Sequence, residues 1–247
     1  MTWMEWYADE RQAVWGVVVV PALFLVDRLL RGRAAGGVLP TGAEFVDFYA
    51  LLFAVETIVD PLVTVWLARR LDIAAGAAGT AVMLPFVLVG DFRVYLLVFA
   101  LIAIATGRTV SSALGTALGW TLVVPLVAYA LNNLLHALFD GLGDNSIWLV
   151  YELLFTAVAL GLARRLPQRV AHVPLRAYLR ALLLYVAAYY ALWAASDVLI
   201  QIAGLDAAWA LRVLPNQLYY AFWVPLVYFT FFAPRYAATS ASTHTSR

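Results

Sequence analysis

Long apolar runs separated by short polar gaps organise this chain, and most are close to the roughly 20 residues that an α-helix needs to cross a hydrocarbon core. The runs fall at 12–30, 44–68, 73–90, 92–107, 109–137, 146–165, 176–203 and 213–233. They predict an all-α integral membrane protein, a polytopic bundle of eight transmembrane helices. The third and fourth runs are short and meet at Gly90-Asp91-Phe92-Arg93. Fused, they would leave seven helices, but a single helix over 73–107 would be about 50 Å long against a core of about 30 Å, so eight is the expected count. Residues 1–236 read as one helical domain and 237–247 as a disordered polar tail.

Composition supports the membrane class. Hydrophobic residues make up 64% of the 247, charged residues only 13%, and the mean hydropathy is +0.85, beyond what the core of a soluble domain of this size requires. The first segment, MTWMEWYADERQ, is acidic rather than basic, unlike a secretory signal, so the first apolar run is expected to be retained. There is no cysteine, and all 16 basic residues are arginine. Disulfides, thiolate ligands, a cysteine nucleophile and lysine Schiff-base chemistry are therefore excluded. The chain holds no P-loop, dinucleotide fingerprint, HExxH or GxSxG motif and no basic nucleic-acid patch.

Arginine placement orients the bundle. Arg164, Arg165, Arg169, Arg176 and Arg180 crowd one loop, which the positive-inside rule makes cytoplasmic. The 138–145 and 204–212 loops then face outward in either count. The N-terminus is inside with eight helices and outside with seven, and charge does not separate the two. The expected location is a multi-pass protein of the cell membrane.

Against this background, polar residues inside apolar runs are the informative ones, because a carboxylate at a helix centre costs roughly 2.5–3.5 kcal/mol on insertion scales and usually faces a bundle interior or a wet cavity. Glu56 and Asp60 lie one turn apart on one helix face with Tyr49, beside Pro61. Two carboxylates so placed in a low dielectric do not both stay ionised, which leaves a proton ready for acid-base work. The structural alternative is a hydrogen-bonded turn at Asp60 and a Glu56 paired to another helix. Asn132, His136 and Asp140 form a second stripe, fit for a proton relay or for interhelical hydrogen bonds. With His172 and His244 in a loop and the tail, a histidine-rich metal centre is excluded, and no metal or cofactor is expected.

Glu152, Asp197 and Asn216 sit toward the outward ends of their runs and predict a polar vestibule opening outward. Tyr190, Trp193 and Asp197 form a stripe on the seventh run, and Asn216, Tyr220 and Trp223 another on the eighth; together with Tyr49, Asn132 and Glu152 these are the expected substrate-binding residues. Asp91 and Arg93 are expected to form an ion pair across the break at 90–93. Carboxylates framed by aromatic faces suit protonation of a carbon–carbon double bond and stabilisation of the resulting cation. The expected function is thus a membrane enzyme acting on an isoprenoid or lipid by cyclisation, isomerisation or hydration. The alternative is a proton-coupled or ion transporter with Glu56/Asp60 and His136/Asp140 as its relay. The expected partners are membrane lipid and a hydrophobic small molecule, with no nucleic acid.

Overall fold

The computed structural model describes residues 1–32, 41–74, 76–139, 143 and 145–233, and among them the chain is helical with no strand. A short helix α1 (Trp3–Tyr7) precedes six long ones: α2 (Arg11–Arg31), α3 (Ala43–Arg70), α4 (Gly76–Ala105), α5 (Ser111–Leu138), α6 (Ser146–Arg165) and α7 (Val173–Ile202). The six are long and apolar enough to cross a membrane. The last apolar segment is built from short pieces: a 3₁₀ stretch Asp206–Arg212, one α-turn Val213–Asn216, a π-helical turn Gln217–Phe222, and α8 (Trp223–Phe231). The expected tail at 237–247 and Asp140 lie outside the described residues.

The break expected at 90–93 does not exist, and with it goes the count of eight. The two runs expected at 73–90 and 92–107 are joined without interruption in one 30-residue helix, α4 (Gly76–Ala105). At 1.5 Å per residue α4 is about 45 Å long, which a bilayer accommodates by tilt or by overhang at its ends. Gly90, Asp91 and Arg93 read as a surface turn, but each has an interior reason to be where it is. A Cβ on Gly90 would lie 1.6 Å from the Tyr219 hydroxyl, so glycine there admits a ring rather than a turn. Asp91 and Arg93 are each 1% exposed and find their partners on other helices.

The two ends of the bundle are distinct. Trp3 N–H donates to Asp206 at 2.9 Å and Arg69 donates to the Ala8 carbonyl at 2.7 Å, so α1, the end of α3 and the 206–212 stretch share one end. This is the arrangement that seven crossings require and eight do not. At the opposite end Arg28 of α2 pairs with Asp47 of α3 and lies 5.0 Å above the ring of Tyr228.

The core runs between α3, α4, α6, α7 and the last segment, through Tyr49, Leu97, Leu101, Phe155, Leu183, Tyr189 and Trp223. Helix α5 flanks it, turning Ala113, Ala117, Val124 and Ala128 inward while Leu114, Leu118, Leu122 and Leu126 stay exposed. Small residues inward and leucine outward is what a helix packed on one side and bathed in lipid on the other needs, since close backbone approach rather than water exclusion drives association there.

Candidate functional site

Halfway along α4, Asp91 and Arg93 are two residues apart on a continuous helix and so point to opposite faces. They do not pair with each other as expected. Arg93 faces α3 and the last segment: one guanidinium nitrogen donates to Glu56 at 3.2 Å and to the Thr57 hydroxyl at 2.9 Å, the other to the Tyr219 carbonyl at 2.7 Å, and the group stacks 4.2 Å over the Tyr219 ring. Tyr219 lies within the π turn, whose widened path frees that carbonyl from the regular helical ladder. Asp91 faces α6 and α7, where the hydroxyls of Tyr151 and Tyr190 donate to its two oxygens, the latter at 2.5 Å. Tyr190 is itself held by stacking on Phe155, with ring centroids 4.1 Å apart.

Toward the α1 end from this level opens a cavity of about 400 Å³, within the size range of small-molecule sites. Seven of its nineteen lining residues are aromatic, Tyr7, Trp148, Tyr151, Tyr190, Trp193, Tyr219 and Tyr220, and two carboxylates, Asp60 and Glu152, belong to the lining. Both tyrosines that hold Asp91 also line it, so their rings wall the cavity while their hydroxyls reach the buried acid behind it. Asp60 accepts from the Thr64 hydroxyl at 3.1 Å and also engages Tyr220. Pro61 cannot donate to the helical ladder, and the π turn Leu62–Leu67 that follows opens the backbone beside the acid.

Glu152 belongs to a second charged group, in which Arg212 donates to Glu152 at 3.4 Å and also to Asp197, while Gln201 donates to Asp197 at 3.1 Å. Asn216 accepts from the Trp193 indole at 2.8 Å and donates to the Tyr7 hydroxyl at 2.9 Å, closing the α1 side of the cavity. Three π turns, Arg11–Trp15, Leu62–Leu67 and Gln217–Phe222, contribute lining residues, and a fourth, Val198–Ile202, begins directly after Asp197. Such turns concentrate at functional sites because they re-aim side chains that a regular helix would stagger.

The residues singled out from the sequence therefore separate into groups. Asp60, Glu152, Tyr190, Trp193, Asn216 and Tyr220 line the cavity, with Asp197 bonded just behind it. Glu56 stands outside the lining, engaged with Arg93. Tyr49 and Trp223 are buried and serve a chain of hydrogen bonds, Trp223 indole to Tyr49 hydroxyl to Arg93 carbonyl, each 3.0 Å, that ties the last segment to α3 and α4. His136 is exposed and bonds the Ser146 hydroxyl at 3.1 Å, which in turn donates to Asn132 at 2.8 Å. These three side chains tie the end of α5 to the start of α6, away from the cavity. No group of three or more potential metal-ligating residues converges among the described residues.

Arg212, Tyr7, Tyr151 and Tyr219 belong to the site and were missed. Arg212 reads as an ordinary loop arginine, yet it leads an i, i+4, i+8 stripe with Asn216 and Tyr220, and that spacing was a usable signal. Tyr7 carries no local signal at all. Comparison of the chain with protein-family models, with characterised proteins and with solved structures found no match.

Proposed function

We propose that the protein is a multi-pass enzyme of the cell membrane that acts on a lipid-soluble molecule, such as an isoprenoid, by proton transfer from carboxylates. The observation that carries this reading is the cavity: aromatic walls, two wall carboxylates on different helices, and a third carboxylate reached through two wall tyrosines. In the proposed chemistry a protonated Asp60, which no arginine bonds among the described residues, gives its proton to a carbon–carbon double bond, whose π electrons form the new C–H bond. The cation left on the neighbouring carbon is stabilised by the ring faces and carboxylates around it. Loss of a proton to the second carboxylate completes an isomerisation or cyclisation, and addition of water to the cation, with loss of the water's proton to that carboxylate, completes a hydration. No cysteine, lysine or metal is needed.

One observation favours the transporter alternative: the Glu56–Arg93 pair bridges α3 and α4 at mid-depth, below the cavity floor, where a gate would sit. Against it, the described lining residues come from the α1 end and the middle of the bundle, with none from the 106–110 or 166–172 turns, which supports a cavity open at one end over a channel. With the arginine-rich 164–180 loop cytoplasmic, the cavity lies in the outer half of the membrane. The test is substitution of the wall acids: Asp60→Asn in purified protein should abolish product formation while leaving the melting temperature within a few degrees, and full activity in this variant would overturn the reading.

A further inference from the structure

We propose that the α1 end of the cavity is a subsite for the ammonium group of a membrane-soluble amine. This deepens the reading above and rests on the cavity taking a lipid-soluble molecule; it names the polar end of that molecule. The starting point is Glu152, which is 4% exposed and lines the cavity. Its Oε1 accepts the long 3.4 Å bond from Arg212, while its Oε2 is buried and has no partner among the described residues, as is also true of Arg212 Nε. A buried carboxylate oxygen without a donor carries the desolvation cost of its lone pairs uncompensated, and on a cavity wall a ligand's donor can meet it.

Charge says which ligand. Among the described residues Arg212 alone is bonded to both Glu152 and Asp197, so two carboxylates share one guanidinium. Asp60, on the same cavity, is bonded by Thr64 and Tyr220 and by no arginine. The other lining arginine, Arg69, is exposed and donates to the Ala8 carbonyl. With Glu152 and Asp197 both ionised, the subsite carries one negative charge more than Arg212 balances, beside an empty acceptor.

An ammonium group fills both needs at once, donating to Oε2 and balancing the second carboxylate. An alcohol satisfies the oxygen but leaves the charge, and a carboxylate or phosphate head is repelled by both acids. Ring faces supply the rest, since Tyr7, Trp148 and Trp193 line the cavity, and Arg212 already lies 5.9 Å from the Tyr7 ring and 5.6 Å from that of Trp209. Aromatic faces that accommodate one cation are suited to a second.

The experiment uses the full chain in phosphatidylcholine nanodiscs, with dodecylamine, dodecanol and dodecanoate as probes at equal concentration in the bilayer. Melting temperature and tryptophan fluorescence, to which Trp148 and Trp193 contribute, are the readouts. Dodecylamine should raise the melting temperature by several degrees, and dodecanol and dodecanoate by much less. Glu152→Gln, which removes the surplus charge and keeps the side-chain size, should weaken dodecylamine at least tenfold. Equal shifts from amine and alcohol, or undiminished amine binding in Glu152→Gln, would overturn the proposal. If that variant does not purify, the amine-against-alcohol comparison in the unmodified chain decides alone. Because the readout is binding and the saturated probes carry no double bond to protonate, amine selectivity here stands apart from the enzyme reading, which fails if the Asp60→Asn variant keeps full activity. Product formation without amine selectivity would overturn this proposal and leave the enzyme reading standing.

Discussion

Replacing Arg93 by Met removes a buried cation that ties α3, α4 and the last segment together through Glu56, Thr57 and the Tyr219 carbonyl. Glu56 is 13% exposed, and without Arg93 it keeps only the Thr57 hydroxyl at 3.4 Å. Breaking a buried pair by deleting one partner costs about 3–5 kcal/mol, and the partial exposure of Glu56 places this case near the lower figure. For a chain of this size each kcal/mol moves the midpoint by about 2–4 °C, so Arg93→Met should melt about 6–12 °C below the parent in detergent. Glu56→Gln alone should cost about 1–2 kcal/mol, because Arg93 retains Thr57, the Tyr219 carbonyl and the Tyr219 ring. The double variant should recover about 1–3 kcal/mol relative to the sum of the singles, since it leaves no unpaired charge. Differential scanning fluorimetry of the four proteins completes the cycle. If Arg93→Met melts within about 2 °C of the parent, or the double variant is simply additive, the pair does not hold the bundle and the argument fails.

Two further predictions follow from the same geometry. Gly90→Ala places a methyl where the Tyr219 hydroxyl sits, so it should destabilise by about 1–3 kcal/mol as an overpacked core position does; an unchanged melting temperature would show that Tyr219 does not hold its place against α4. Because the chain has no cysteine, single cysteines report sidedness cleanly: Met4→Cys and Leu205→Cys should react with an impermeant maleimide from one side of the membrane and Gln168→Cys from the other. Labelling of Met4→Cys and Gln168→Cys from the same side would overturn the seven-crossing arrangement.

Much of the helical layout is legible because apolar periodicity survives any tertiary context: 146–165 in the sequence is α6 in the structure, residue for residue. The fused α4 was not legible. A glycine beside two charges inside an apolar run imitates a surface turn, and only the positions of Glu56, Tyr151, Tyr190 and Tyr219 on other helices show that those charges have interior partners. The cavity was partly legible. Spacings of i, i+3 for Tyr190 and Trp193 and i, i+4 for Asn216 and Tyr220 place each pair on a common face, and those faces meet. Glu56 shows the limit of such reasoning, since intramembrane cost marks a residue as engaged without saying whether its partner is a substrate or an arginine 37 positions away. Tyr7 joins the site through tertiary contacts alone, as does the pairing of Glu152 and Asp197 through one guanidinium.

Proton transfer from wall carboxylates to carbon is the central claim, and deuterium incorporation tests it most directly. Protein reconstituted into liposomes containing an isoprenoid-rich membrane lipid extract would be incubated in D₂O, and the extracted lipids examined by mass spectrometry for deuterium that does not wash out in H₂O. Carboxylate protons exchange with water, so the account predicts carbon-bound deuterium in a product, with none formed by Asp60→Asn. A lipid or solute recovered chemically unchanged on the far side of the bilayer, with no carbon-bound deuterium in any species, would contradict it.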